Sequence, residues 1–183
     1  MTEDKIVVRG NKISLRFITH EDTKDIVRWR NNKRVRDNFV FREHFTEEIH
    51  EKWLRDKVEA GDVVQFIICE NERDCRPVGS VYFRDIDREK RCAEYGVFIG
   101  EDDAIGRGYG NEVVVLALKY ADEELGLEKV ILRAFTRNAP AVRSYSNAGF
   151  VKASDLPGVL CSDGEREDMI LMERHFERNQ RDD

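Results

Sequence analysis

Apolar residues alternate with polar ones at Ile13, Leu15 and Phe17, a period of two that predicts a strand over residues 12–18. Thr19 or His20 then opens a helix running to about Asn31. Thr46, followed by Glu47 and Glu48, starts a second helix with Ile49, Trp53, Leu54 and Val58 on one stripe, and Gly61 stops it. Residues 63–70 and 77–86 read as consecutive antiparallel strands, and 92–100 follows the polar turn at 87–91 as a third. A strongly apolar helical run from Val113 extends to about Leu125 and ends at Gly126. Residues 129–136 read as a strand, 138–148 as a helix, and 150–153 and 166–173 as strands, with 154–165 a loop. The order β-α-α-β-β-β-α-β-α-β-β predicts an α/β chain with a mixed sheet and helices on both faces.

The chain has 183 residues, which predicts one domain over 1–183, with 178–183 a polar tail. Charged residues make up 37% and the net charge is −6. That balance argues against nucleic acid as a partner and admits a cationic one. No apolar run reaches membrane-spanning length and the N-terminus is no signal peptide, so a cytoplasmic protein is expected. Cys69, Cys75, Cys92 and Cys161 lack metal-like spacing and read as reduced thiols. His20, His44, His50 and His175 are equally scattered, so no metal site is expected.

The chemistry concentrates in Gly106-Arg107-Gly108-Tyr109-Gly110-Asn111-Glu112, directly before the long helix. Glycine lets a ligand approach the backbone, and a helix start offers free N–H groups to an anion. Arg107 adds a permanent charge suited to phosphate. The turn therefore reads as a pyrophosphate cradle. It lacks the Lys-Ser or Lys-Thr of a P-loop and follows an antiparallel meander, unlike a dinucleotide-binding βαβ unit. A second constellation, Asn138 to Phe150, lies one strand downstream. Asn138 can cap its helix, Pro140 suits the first turn, and Gly149 closes it. Tyr145 follows Asn138 by seven residues and Ala141 by four, so the three share one helical face.

With these motifs the chain resembles the GCN5-related N-acetyltransferase (GNAT) superfamily, and within it the RimJ/RimL-like group. The resemblance covers almost the whole chain. It includes Leu15-Arg16, Trp29-Arg30-Asn31, Val78-Gly79, Ala93-Glu94-Tyr95-Gly96, the glycine turn and the 138–150 block. Ile105 stands where the superfamily usually has Arg or Gln, a side chain the backbone cradle does not need. The resemblance implies a mixed, mostly antiparallel sheet of about seven strands with a V-shaped splay between strands 92–100 and 129–136. Acetyl-coenzyme A would lie in the splay as co-substrate, without a metal. Gly96 would mark a bulge, and backbone groups of Val97, Phe98 and Ile99 would bond the pantetheine arm. Arg107, Gly108, Tyr109, Gly110 and Asn111 would hold the pyrophosphate, and Asn138 and Ala141 would line the arm. Arg143 would reach the adenosine end or stand as a solvent-exposed charge.

By the same resemblance Tyr145 is the general acid for the leaving thiolate. Glu94 is a base, a relay or an acceptor contact. A backbone N–H near Val97 or Phe98 is the oxyanion donor. The acceptor would be a small amine such as a polyamine, an amino-sugar nucleotide, or a protein N-terminus, bound by 38–48 and 154–165, in a possible homodimer. Phe39, Phe41 and Phe45 are an acceptor wall or core. A non-catalytic coenzyme-binding sensor is the alternative.

Overall fold

Strand β3, Val64–Glu70, is buried from Gln65 onward because it packs on both faces. Phe66 and Ile68 enter one core cluster, while Ile67 and Cys69 enter another on the opposite side of the sheet. That two-sided burial, rather than a half-exposed alternation, is why its sequence reads as a continuous apolar run. The structure is a computed structural model and describes residues 5–177, so the tail expected at 178–183 lies outside the described residues.

In chain order the other strands are β1 (Ile6–Arg9), β2 (Ile13–Phe17), β4 (Arg76–Asp87), β5 (Cys92–Ile99), β6 (Lys129–Phe135), β7 (Val151–Leu160) and β8 (Arg166–His175). They form one eight-stranded sheet in the order β1-β2-β3-β4-β5-β6-β8-β7. β5 and β6 are parallel, and the other described neighbours are antiparallel. Helices α1 (Thr23–Asn31), α2 (Lys33–Arg36) and α3 (Glu47–Trp53) precede β3, while α4 (Tyr109–Glu123) and α5 (Ala139–Asn147) flank β6. The α4 residues Val113, Val114, Ala117 and Ala121 join the larger core with Phe83 and Tyr95. Ile26 and Trp29 of α1 join Leu54 and Ile67 in the smaller one. All four cysteines are free thiols.

Several elements depart from the sequence pattern. β1 was not expected; its pattern is weak because three of its four residues are only half-buried. Counting it brings the expected seven strands to eight. α2 is a single turn that Asn32 caps by accepting from the Arg34 amide. After Trp53 the second predicted helix widens into a π turn, Leu54–Val58, and Ile49 is exposed instead of lying on the buried stripe. The loop expected at 154–165 is instead mostly strand: β7 continues to Leu160, its register shifting between Lys152 and Ser154 and again between Leu156 and Val159. Its residues are largely exposed, so no apolar alternation betrayed them.

Candidate active site

β5 and β6 pair only at Cys92–Lys129, Ala93–Val130 and Glu94–Ile131, then diverge. Beyond Glu94, β5 stays with β4 and β6 with β8, leaving one edge of β5 open. The Gly100 amide donates to the Val78 carbonyl at 2.7 Å, and the ladder runs unbroken from Ile99 back to Glu94. In an antiparallel pair alternate residues turn their backbone groups to the partner strand. Phe98, Gly96 and Glu94 therefore bond toward β4, whereas Val97 and Ile99 present theirs to the opening. The Ile99 carbonyl accepts from Arg34 Nη1 at 2.9 Å on that side. Phe98 was expected to offer its backbone; it offers its ring instead, because its amide and carbonyl point to β4.

The unbroken ladder also removes the bulge expected at Gly96, which faces Tyr82 directly. A Cβ there would lie 2.3 Å from Tyr82 Cζ and 2.5 Å from its hydroxyl. Glycine is required because the Tyr82 ring lies over the strand.

At the mouth of the opening, Gly106 and Gly108 have φ of +77° and +82°, a conformation that disfavours side chains. Gly108 is the N-cap of α4, so the amides of Tyr109, Gly110 and Asn111 lack intrahelical acceptors. A Cβ at Gly106 or Gly110 would meet nothing within 4 Å, and one at Gly108 only Lys12 Nζ at 3.7 Å. Open space above free amides suits a pyrophosphate. The turn is braced from below. Tyr109 Oη donates to buried Glu70 Oε1 at 2.9 Å, and Glu112 Oε1 accepts from the Asn11 and Lys12 amides at 2.5 and 3.0 Å. Lys12 Nζ donates to the Arg107 carbonyl at 3.1 Å.

A cleft of about 540 Å³ runs from this turn into the splay. It gathers Val97, Phe98, Ile99, Gly108, Tyr109, Gly110, Asn111, Asn138, Ala141 and Tyr145. Asn138 caps α5, its side chain accepting from the Ala141 amide at 3.4 Å. Two expected residues do not line the cleft. The Arg107 side chain turns back, Nε donating to the Asp103 carbonyl at 2.9 Å, and exposed Arg143 points elsewhere on α5.

A groove of about 410 Å³ adjoins the cleft, sharing Asn38, Phe39, Val97, Asn138, Ala141 and Tyr145 with it. Glu94 lies in this groove. Its Oε1 accepts from Arg84 Nη2 at 3.0 Å and Arg133 Nε at 2.9 Å, and its Oε2 accepts from Arg133 Nη2 at 3.2 Å. Burial opposes its charge, but the bonds from Arg133 and Arg84 outweigh burial and hold the carboxyl below its usual range. A base working near neutrality needs the opposite shift.

Tyr145 lines both spaces. Burial, reinforced by the nearby Tyr82 phenol, pushes its hydroxyl up, so it stays protonated. Its ring meets Tyr95 edge-on at 6.0 Å and Phe150 at 6.1 Å, fixing its orientation. Tyr82, Arg84 and Arg133 were not singled out from the sequence. The signal was there: the turn at 87–91 sets Arg84 opposite Glu94, a cross-strand charge pair. Phe39 and Phe41 line the groove, while Phe45 lines a separate apolar cavity between α1, α3 and the sheet. Among the described residues no group of three potential metal ligands gathers.

Comparison with known proteins gives one family match: the acetyltransferase (GNAT) domain family matches residues 12–151. The spermidine N(1)-acetyltransferase of Vibrio cholerae is 24% identical over 180 residues, covering 93% of this chain and 99% of that protein. The alpha/beta-tubulin-N-acetyltransferase 9 of Drosophila melanogaster is 29% identical over 139 residues, 68% of each chain. Among solved structures, a spermidine N-acetyltransferase from Vibrio cholerae in complex with CoA and spermine superposes with a TM-score of 0.83 at 21% identity. That superposition covers 91% of this chain and 96% of the other.

Proposed function

The chain belongs to the acetyltransferase (GNAT) family and transfers an acetyl group from acetyl-coenzyme A to an amine; on that premise we propose that the transfer takes place where the cleft meets the groove, between Val97, Glu94 and Tyr145. The shared lining of the two spaces is the observation that carries this reading, because a donor in the cleft and an acceptor in the groove would meet at Val97 and Tyr145. The free first-turn amides of α4 would hold the pyrophosphate, and the open edge of Val97 and Ile99 would hold the pantetheine arm. Motifs such as Trp29-Arg30-Asn31 and the glycine turn support a place in the RimJ/RimL-like group.

In the reaction the thioester C–S bond breaks as the C–N bond forms. The amine gives up one proton and the leaving sulfur gains one. A primary amine with a pKa near 10.4 is neutral in roughly four molecules per ten thousand at pH 7, so turnover draws on that fraction. The Val97 N–H, on the open edge, is the donor suited to the developing oxyanion. Tyr145 lines both spaces and stays protonated, which places its hydroxyl to donate to the sulfur as the C–S bond breaks. Glu94 remains an anion clamped by Arg84 and Arg133, which favours orienting the amine over accepting its proton.

The test is thiol release from acetyl-coenzyme A with a panel of polyamines, amino sugars and peptides. Amine-dependent release with acetylated product is expected. Coenzyme binding without release for every amine would contradict it.

A further inference from the structure

The acceptor side of the site is cationic although the chain is anionic overall. Among the described residues, the only charged side chains lining the groove are Arg84, Arg133 and Glu94. Both Glu94 oxygens are already engaged by the two guanidiniums, so its single negative charge is outweighed and the groove keeps a net positive charge beside the amine. Arg84 has further company only from Asp85, an exposed carboxylate 3.7 Å from Nε. That Nε is buried without a hydrogen-bond partner, and Nη2 is bonded to Glu94, so Nη1 is the donor that can meet a ligand.

The Tyr82 ring lines both the groove and the α1–α3 cavity of about 370 Å³. Arg30 lies in that cavity, its guanidinium 3.4 Å from the Phe39 ring centroid and 4.9 Å from that of Phe45. Among the described residues its one hydrogen bond runs from Nη2 to the Phe41 carbonyl at 3.3 Å and no carboxylate pairs with it; Nε is buried, which leaves the outer nitrogen Nη1 as the donor open to a ligand. The cavity's one carboxylate, Asp56, is bonded to Lys52. Spare guanidinium donors beside apolar rings suit a carboxylate or phosphate, and they repel a second ammonium.

We propose that the acceptor is an amine whose remainder carries an anion, a carboxylate or a phosphate, bound by Arg30, Arg84 and Arg133, and is not a polycation such as spermidine. The inference rests on the acetyl-transfer reading. It separates this chain from relatives whose names specify spermidine, and it runs against the cationic acceptor that the net charge admits. The acetyl group still moves from sulfur to nitrogen; the arginines select the far end of the acceptor.

The experiment uses tails of matched length: 4-aminobutyrate, n-butylamine and putrescine, with glucosamine 6-phosphate against glucosamine as the phosphate arm and spermidine as the polycation. Specific activity as kcat/KM for thiol release is expected to favour the anionic member of each set over the cationic or neutral one by roughly tenfold or more. Arg30→Gln should shrink that preference. Equal or better turnover of putrescine or spermidine overturns the inference while leaving acetyl transfer intact. If no amine is turned over, the acetyl-transfer reading fails, and thermal shifts of the CoA-bound protein decide the recognition of charge. Stabilisation by the anionic members alone supports the arginine site. Stabilisation by cationic members, by neither, or equally in Arg30→Gln overturns it.

Discussion

His50 sits on α3 almost fully buried, its Nδ1 2.9 Å from Thr23 Oγ1 and its Nε2 without a hydrogen-bond partner. Burial pushes its pKa from 6.5 down to about 4, despite the attraction of Glu51 and Asp22, while His20 adds repulsion. The folded state thus keeps the ring neutral where the unfolded chain would protonate it. As pH falls below 6.5 the unfolded state binds the proton first, so stability is whole above that value and is lost on the way to pH 4. Weighing the two binding curves at pH 7.5 and pH 5.0 gives a loss of about 2 kcal/mol from this one ring. His20 acts in the opposite sense, since bonds to Glu59 and Glu51 raise its pKa and favour the fold at low pH. That contribution is common to wild type and a His50→Asn variant, and so cancels in their difference. Urea unfolding followed by Trp fluorescence at the two pH values should show wild type losing about 2 kcal/mol more than the variant. Equal pH sensitivity in both proteins would refute the buried neutral ring.

Three further outcomes bear on the site. Tyr145→Phe should lower kcat by roughly 10²-fold or more with little change in coenzyme affinity, and near-normal turnover would remove the acid role. Because Glu94 is held below its ordinary range, kcat/KM should rise with pH as the amine deprotonates, with no carboxylate limb between pH 5 and 7.5. A limb there that disappears in Glu94→Gln would restore the base. Gly96→Ala puts a methyl into the Tyr82 ring and should cost about 1–3 kcal/mol and reduce turnover. An unchanged melting temperature and rate would mean that Tyr82 moves freely.

The glycine turn, Asn138 and Tyr145 were legible because each is a local device: φ > 0 glycines, a cap, and a helical spacing of seven. The order of strands β2 to β6 was legible from alternation and turns for the same reason. What escaped depends on pairing across the sheet. Alternation alone marks residues 97–99 as strand, but only the Gly100–Val78 bond shows that Val97, and not Phe98, turns its amide outward. Gly96 reads as a bulge until Tyr82 is placed opposite it. The exposed half of β7 has no apolar period to announce it. Net charge misleads about the acceptor side because it averages over a surface on which most acidic residues lie outside the groove.

With the coenzyme in the splay between β5 and β6, its pyrophosphate would rest on the start of α4. Hydrogen–deuterium exchange with and without CoA tests that placement most directly. Saturating CoA should slow exchange at Val97, Ile99, Tyr109, Gly110 and Asn111, with little change in the β1–β2 hairpin. Protection confined to the α1–α3 cavity, or none at the glycine turn under saturating CoA, would contradict it.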